Sequence, residues 1–439
     1  MVKTILKTRQ VSEFKETEIG KIPEDWDVKK LRDVMTMNLR HGVYKSKEFA
    51  SPNGVNILKM GLLDATNWIG EQNMERYLVT DEEINRYKIH EGNIIFARTS
   101  MMTGGLGNCG IVMKHKEPII FDGNLLCAEL NIDLLFPMFC LYYFKSKYGQ
   151  NEISRMTGGT QSRSIPSSEL SNVLVLIPPK PEQIRISKIL FDIDLQIENL
   201  KKQNRFLKQI PESIYKSWFI DFDGQVEFED SKLGQIPKGW TIEKLENFVD
   251  LTKGVSYKSK ELMHSNKALV TLKSVKRGGG YTERGLKSFN GKYKESQILH
   301  QDDIIIAQTD LTQSADVIGK PAIITNSIFF DILIASLDLL IVRLKNNKIS
   351  KSFLYHMLMT DEFQSHVYGY TSGTTVLHLA KDGVPSFSFI LPPKKILEKF
   401  DKSISNMMQK YRDNTYQIKF LEQTRDALLP KLMSGEIRV

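Results

Sequence analysis

Cysteine is scarce: Cys109, Cys127 and Cys140 are the only three, and none belongs to a C-x-x-C pair. That excludes a disulfide framework, leaves little for a structural zinc site, and makes buried thiols the simplest reading. Long apolar runs are missing too. The longest, Ile332 to Val342, is broken by Asp338 and is too short to span a bilayer. Met1 to Glu18 mixes lysines with acids around no apolar core, so a cytoplasmic address and no membrane are expected.

Catalytic motifs are absent as well. No G-x-x-x-x-G-K-[ST] phosphate loop occurs, which argues against an ATP-driven motor. A DNA adenine methyltransferase needs an Asn/Asp-Pro-Pro-aromatic tetrad. The Pro-Pro pairs here, Ile177-Pro178-Pro179-Lys180 and Leu391-Pro392-Pro393-Lys394, have neither the amide before nor the ring after. Gly105-Leu106-Gly107-Asn108-Cys109-Gly110 satisfies G-x-G-x-x-G, but Ile111-Val112-Met113 reads as a strand where a dinucleotide site needs a helix. Asp302-Asp303 has no convincing lysine partner and reads as a solvated turn, although nuclease carboxylates are too degenerate to exclude by pattern.

What is present is a duplication. Ile19-Gly20-Lys21-Ile22-Pro23-Glu24-Asp25-Trp26 returns as Leu233-Gly234-Gln235-Ile236-Pro237-Lys238-Gly239-Trp240, 214 residues on. Pro178-Pro179 returns at the same offset as Pro392-Pro393. Ile94-Ile95-Phe96-Ala97-Arg98-Thr99 answers to Ile304-Ile305-Ile306-Ala307-Gln308-Thr309. At 439 residues the chain fits two domains plus connecting structure. Its 41% hydrophobic and 26% charged content is that of a soluble globular protein. A pseudo-symmetric object of this kind suits a partner with two-fold character, duplex DNA first. A net charge of +8 permits that partner without establishing it.

Each copy joins a mixed segment to a long helix. Short β-rich runs (Val55–Leu58, Asn93–Ala97, Asn172–Ile177) lie between Gly, Asn and Thr turns, and helix-like Leu134–Phe144 matches Lys351–Met359. After each Pro-Pro pair the period changes to alternating threes and fours. The first seam reads Ile186, Ile189, Ile193, Gln196, Leu200, Gln203, Leu207, Ile210 and Ile214. The second reads Phe400, Ile404, Met407, Tyr411, Asn414, Ile418, Leu421, Arg425 and Leu428. Pro211 should kink or restart the first helix before Trp218. Two seams of similar length pack most economically on each other, antiparallel, and Gln196, Gln203 and Asn414 would fix their register. The plainer alternative is a helical hairpin inside a larger core. About 35 residues at about 1.5 Å each make on the order of 50 Å, longer than one turn of B-DNA at roughly 34 to 36 Å.

The fold class is therefore α+β: two pseudo-symmetric mixed α/β recognition domains separated by two long antiparallel coiled-coil helices. The expected boundaries are an N-terminal extension at 1–17, domain 1 at 18–180, a central helical spacer at 181–222, domain 2 at 223–393 and a C-terminal helical spacer at 394–439.

Three stretches resemble the specificity subunits of type I restriction–modification systems. They are Ile-Pro-x-x-Trp opening each copy, Lys216-Ser217-Trp218-Phe219-Ile220-Asp221-Phe222-Asp223, and Arg425-Asp426-Ala427-Leu428-Leu429-Pro430-Lys431-Leu432-Met433-Ser434-Gly435-Glu436-Ile437. The resemblance implies a non-catalytic reader of double-stranded DNA whose two target recognition domains contact the halves of a bipartite site. It implies paired helices that set the gap and dock two methyltransferase (modification) subunits, with restriction/translocase subunits completing the complex. S-adenosylmethionine, ATP and Mg2+ would then be used by the partners, with no cofactor bound by this chain. Pro211 and the leading segment depart from the family pattern. The rivals are a coiled-coil scaffold that never touches DNA and, from the enzyme class, a stand-alone methyltransferase or nuclease.

Candidate DNA contacts come from matched places in the copies. Gly42-Val43-Tyr44-Lys45-Ser46-Lys47-Glu48 returns as Gly254-Val255-Ser256-Tyr257-Lys258-Ser259-Lys260-Glu261. Glycine would admit a phosphate, Lys45, Ser46, Lys47, Lys258, Ser259 and Lys260 would bind it, and Tyr44 and Tyr257 would stack or donate. A solvated turn is the plainer reading. Arg98 and Thr99 match Gln308 and Thr309, the exchange expected where one domain reads guanine and the other adenine, or where a surface site drifts. The Gly-Thr loop offers Gln161 and Arg163 in one copy, and Thr374 and, more weakly, Thr375 and His378 in the other. Lys273, Lys276 and Arg277 before Gly278-Gly279-Gly280 read as a phosphate clamp or a solvated loop.

Overall fold

The duplication in sequence reappears as a duplication in strand pairing. A computed structural model of the chain describes residues 13–99, 107–156, 164–310, 312, 314–374 and 376–439. It divides into two units, one of Met1–Glu198 with Phe420–Val439 and one of Asn199–Lys419.

In the first unit Ile94–Ala97 lies between Leu125–Ala128 and Cys109–Val112, antiparallel to both, inside a five-stranded sheet. Every residue of these three strands is buried, which explains why each reads as an unbroken apolar run without alternation. Beside this sheet Ile119–Phe121 runs parallel to Ala50–Leu58. The second unit repeats the plan. Ile304–Ala307 lies between Leu339–Leu344 and Pro321–Ile323, all antiparallel, and Lys267–Val270 runs parallel to Ile332–Ala335. The helices Pro137–Lys145 and Lys351–Met359 fall where the sequence places them.

The repeat begins earlier than expected. Phe14–Thr17 pairs with Gly20–Pro23, and Phe228–Ser231 pairs with Gly234–Pro237 in the same register. Residues 14–17 thus belong to the first domain as a hairpin arm and are not part of an extension. Gly20 and Gly234 sit at φ of 107° and 93°, the left-handed turn that the alternating polar arms could not supply themselves.

The long helices are Lys180–Phe219 and Lys394–Met433. Pro211 neither ends nor restarts the first one. It is buried in an unbroken helix, where the packing of Tyr215 and Phe219 against Phe353 and Phe400 offsets the lost hydrogen bond. In both units the helices pair antiparallel. Asp194 meets Arg425 at 2.9 Å in the first, where Ile186 shares a core with Leu432. In the second, Asn204 donates to Thr415 at 3.1 Å while Tyr215 meets Phe400 edge to face at 5.9 Å.

The first seam needs correction. The buried line passes through Ile186, Leu190, Asp194, Ile197 and Leu200 and on to Pro211 and Tyr215. Ile189 and Ile193 flank it half-buried, Leu207 is half-buried, and Gln196 and Ile210 are exposed. This line follows the straight-helix period of about 3.6, so a 3.5-residue template drifts off it. The second seam lies as read: Phe400, Ile404 and Asn414 are buried, and Met407, Tyr411, Ile418 and Leu421 are half-buried. Asn414 donates to Gln203 at 3.1 Å, so these two polar residues face each other.

Around Tyr215 the second core also encloses His356, 3% exposed and stacked on that ring at 5.9 Å. Its Nδ1 lies 2.7 Å from the Ser352 carbonyl, an acceptor only, so Nδ1 carries the proton. Burial, with the nearby charge of Lys208, pushes the imidazole down to about 4. The unfolded chain therefore binds the extra proton first. Stability contributed by neutral His356 is complete above about pH 6.5 and is lost as the pH falls toward about 4, up to about 3 kcal/mol. Urea midpoints measured between those pH values should fall for the native chain and flatten in His356→Leu.

Candidate nucleic-acid interface

Three segments of the first unit meet at one rim: the loop 42–47, the end of strand Ile94–Ala97, and the turn Asp122-Gly123-Asn124. The turn is rigid because the Asn124 backbone and side-chain amides both donate to the Asp122 carboxylate, at 2.9 and 2.8 Å. Val43 locks the loop to it, donating to Phe121 and accepting from Gly123 at 2.8 and 2.9 Å. Gly42 has a different role from the one the motif suggests. A Cβ there would enter the Phe121 and Asp122 carbonyls, and one at Gly254 would enter those of Ala335 and Ser336. Both glycines let the chain approach its own sheet, which accounts for their recurrence without a phosphate.

On this base Tyr44 stands 66% exposed with its ring lying where a Gly123 side chain would be. Arg98 donates from Nη1 to the Tyr44 hydroxyl at 3.0 Å, and its backbone is held by Asn124 and Ile165. Its Nε is shielded and has no partner. Burial and the Arg98 charge together hold His41 below the usual histidine range. Arg98 is held at the rim by its bond to Tyr44, with its Nε shielded from solvent. Thr99 bridges Ser164 in an antiparallel pair.

The neighbouring lysine is used internally. Lys45 donates to the Leu78 carbonyl at 3.1 Å, pairs with Glu83 at 2.9 Å and covers the Phe49 ring at 4.6 Å. Its ammonium pulls Glu83 below the ordinary carboxylate range and ties down the short helix Asp81–Tyr87, so a phosphate would have to displace three partners. Ser46 donates to Glu48, and Lys47 is exposed.

In the second unit the matched positions are built differently. Gln308 is buried. Its amide donates to the Leu337 carbonyl at 2.9 Å, and its backbone bonds to Asp338 and Leu379. Thr309 is buried and donates to the Asp338 carboxylate at 3.1 Å. Both side chains are thus bonded within their own unit and largely buried, where Arg98 is half-buried at a rim. The cause is a coupled set. Where the first unit has Tyr44 over Gly123, the second has Ser256 and Leu337, the latter 45% exposed. A ring at one position and a side chain at the other exclude each other. Gly123 and Leu337 escaped the sequence reading, although they stand at the 214-residue offset.

Tyr257 is not the counterpart of Tyr44: it is half-buried among Val255, Leu262 and Tyr293, beneath Lys287. Lys258, Ser259 and Lys260 are exposed on a short 3-10 turn. Thr374 is exposed in the hairpin joining Thr371–Ser372 to Leu377–Leu379, where Gly373 adopts φ 123°, and exposed His378 pairs with Thr309. Lys273 and Arg277 are exposed, the latter 3.5 Å from Asp316. Gln161, Arg163 and Thr375 lie outside the described residues. Among the described residues no His, Cys, Asp and Glu group could hold a metal ion, and no helix is long and apolar enough to cross a membrane.

This doubled architecture has close counterparts. The family model for the type I restriction modification DNA specificity domain matches twice, over residues 23–209 and 237–425, and the chain belongs to that family. It is 28% identical to the type I restriction enzyme MjaIX specificity subunit of Methanocaldococcus jannaschii, over 99% of both chains. It is 26% identical to the HindI specificity subunit of Haemophilus influenzae, over 80% of this chain and 87% of that one. The crystal structure of a type I S subunit from M. genitalium superimposes with a TM-score of 0.59, covering 93% of this chain and 96% of that one at 16% identity. The chain is thus a DNA specificity subunit of a type I restriction–modification system.

Proposed function

We propose that this chain reads a bipartite duplex site, one half per domain, and catalyses nothing itself. Methylation with S-adenosylmethionine, and ATP- and Mg2+-dependent translocation and cleavage, belong to two modification subunits and to restriction subunits assembled on it in the cytoplasm. One observation carries the reading. At matched rim positions the domains differ as a coupled set, Tyr44, Gly123 and Arg98 against Ser256, Leu337 and Gln308, on a shared backbone plan. Two surfaces with one frame and different chemistry suit two different half-sites.

Arg98 is the reader in the first domain, and a bidentate guanine contact is its natural use. Arg98→Ala should relax the preferred base at one position of one half-site by about 1 to 3 kcal/mol and leave the other half-site intact. Sequencing of methylated genomic DNA from cells carrying the variant measures this. An unchanged motif would remove Arg98 from the reading surface. Gel shifts over a salt series separate the reader from a scaffold, since a reader keeps its preference for one duplex while overall binding weakens.

A further inference from the structure

In a duplicated chain, a surface that faces two different half-sites diverges between the copies, as the rims do, while a surface that faces two identical partners stays the same. The hairpin arm that opens each domain is an exposed feature kept in both copies. Phe14 and Phe228 stand at the same place on the two arms, 214 residues apart, and are 45% and 42% exposed. Phe14 lies opposite Pro23 and Phe228 opposite Pro237. The Thr17 and Ser231 hydroxyls close the turns, donating to the Gly20 and Gly234 carbonyls, both at 2.6 Å. The Glu24 and Lys238 amides donate to the Glu13 and Glu227 carbonyls, both at 3.0 Å. Buried Ile22-Pro23 and Ile236-Pro237 end the arms.

These bonds account for the arms and leave the two phenyl rings without a task. Phe228 meets Phe222 edge to face at 6.2 Å and is still exposed. Among the described residues, each first strand has only its return strand as a neighbour, so its other edge is open to pairing.

Charge indicates what covers such a ring. Residues 13–18 carry Glu13, Glu16 and Glu18 against Lys15, and residues 227–232 carry Glu227, Glu229 and Asp230 against Lys232. All six acids are exposed. Lys15 has become Glu229 and Glu18 has become Lys232, yet three acids still stand against one lysine. The return strands add Lys21, 3.4 Å from Glu16, and Lys238, 2.9 Å from Glu227, and both arms remain net acidic. On a chain of net charge +8, arms of this sign repel phosphate, so the duplex is the wrong occupant. A protein surface with an apolar pocket and a basic rim is complementary to them. Charges alone would be ordinary protection of an open edge. An exposed ring at the same place twice is not protection.

We propose that the two arms are matching docking points for the two modification subunits, one per arm, with Phe14 and Phe228 each entering an apolar pocket rimmed by lysine or arginine. This rests on the assembly stated above and adds to it a surface of this chain that makes the contact.

The test is a titration of the full-length chain with purified modification subunit, following complex mass and affinity, for wild type, Phe14→Ser, Phe228→Ser and the double variant. Wild type should take two copies. Each single variant should keep one tight site and weaken the other by about tenfold, and the double variant should weaken both. Because Phe228 also touches Phe222, the reversals Glu16→Lys and Asp230→Lys supply a second reading that leaves both rings in place, and each should weaken its own site. In cells the methylated motif should stay as it was while the extent of methylation falls. Two tight sites in the double variant and in both reversals overturn the arms and leave the assembly standing. Weakened duplex binding with both subunit sites still tight overturns them too, because it would assign the arms to DNA. A wild-type chain that takes no modification subunit overturns the assembly and the arms together.

Discussion

Asp194→Ala should lower the stability of the first unit by about 3 kcal/mol. Asp194 is 9% exposed in the middle of the helix seam, where it accepts from the Tyr142 hydroxyl at 2.8 Å and from Arg425 at 2.9 Å. Truncation leaves a phenol and a guanidinium without their acceptor. The phenol is already pushed far above its usual range by burial and by Asp194, so it cannot ionise to compensate. Arg425 retains Asp426 at 2.8 Å, which keeps the cost at the lower end of what breaking a buried pair entails. Asp194→Asn should cost less, since it preserves an acceptor for Tyr142. Denaturant unfolding followed in the near-ultraviolet, where Tyr142 and its neighbours report, measures both. Equal and negligible losses would mean that the pair is solvated and the seam is held by Ile186, Leu190 and Ile197 alone.

Gly42→Ala should be as damaging, again by about 3 kcal/mol, for the opposite reason. One added methyl has no room, because the atoms in its way are backbone carbonyls of Phe121 and Asp122, which cannot rotate aside. The loop would lift, breaking the Val43–Phe121 and Gly123–Val43 hydrogen bonds and carrying Tyr44 away from Arg98. Gly254→Ala should act likewise in the second unit through Ala335 and Ser336. Thermal melts give the stability loss. Methylome sequencing of a variant that still folds should show the Arg98 position relaxed in Gly42→Ala and the other half-site untouched. A wild-type melting temperature in either variant would contradict the close packing of loop on sheet.

These cases show what a sequence can and cannot disclose. Strands such as Ile94–Ala97 and Ile304–Ala307 were legible because full burial on both faces leaves an unbroken apolar run, and the second copy repeats it. The long helices were legible from their period, yet the first seam was misplaced by a residue at several turns. A buried aspartate counts as polar in any pattern, and Asp194 is stable inside only because Arg425 and Tyr142, distant in sequence, meet it there. Pro211 misled for a related reason: its cost is local, while the packing that offsets it is tertiary. At the rim, residue types did not disclose which side chains face outward. Gln308 and Thr309 match Arg98 and Thr99 in every local respect, and the difference arises across the sheet at Leu337 and Asp338. Glycine was misread most simply, since a close approach to phosphate and a close approach to one's own carbonyl require the same missing side chain.

One feature of the packing governs how such a molecule could be divided. The helix that follows the first domain ends against Trp240 of the second, with Phe219 and Phe222 at 6.2 and 5.6 Å from that ring. The second helix ends against the first domain, where Gly435 abuts Pro23 and Trp26, and Arg438 grips Asp25 and Glu182. Each half therefore supplies part of the cover over the other half's tryptophan. A polypeptide severed near residue 223 yields fragments with one partly uncovered indole and one surplus lid apiece, so neither is whole until it finds a twin.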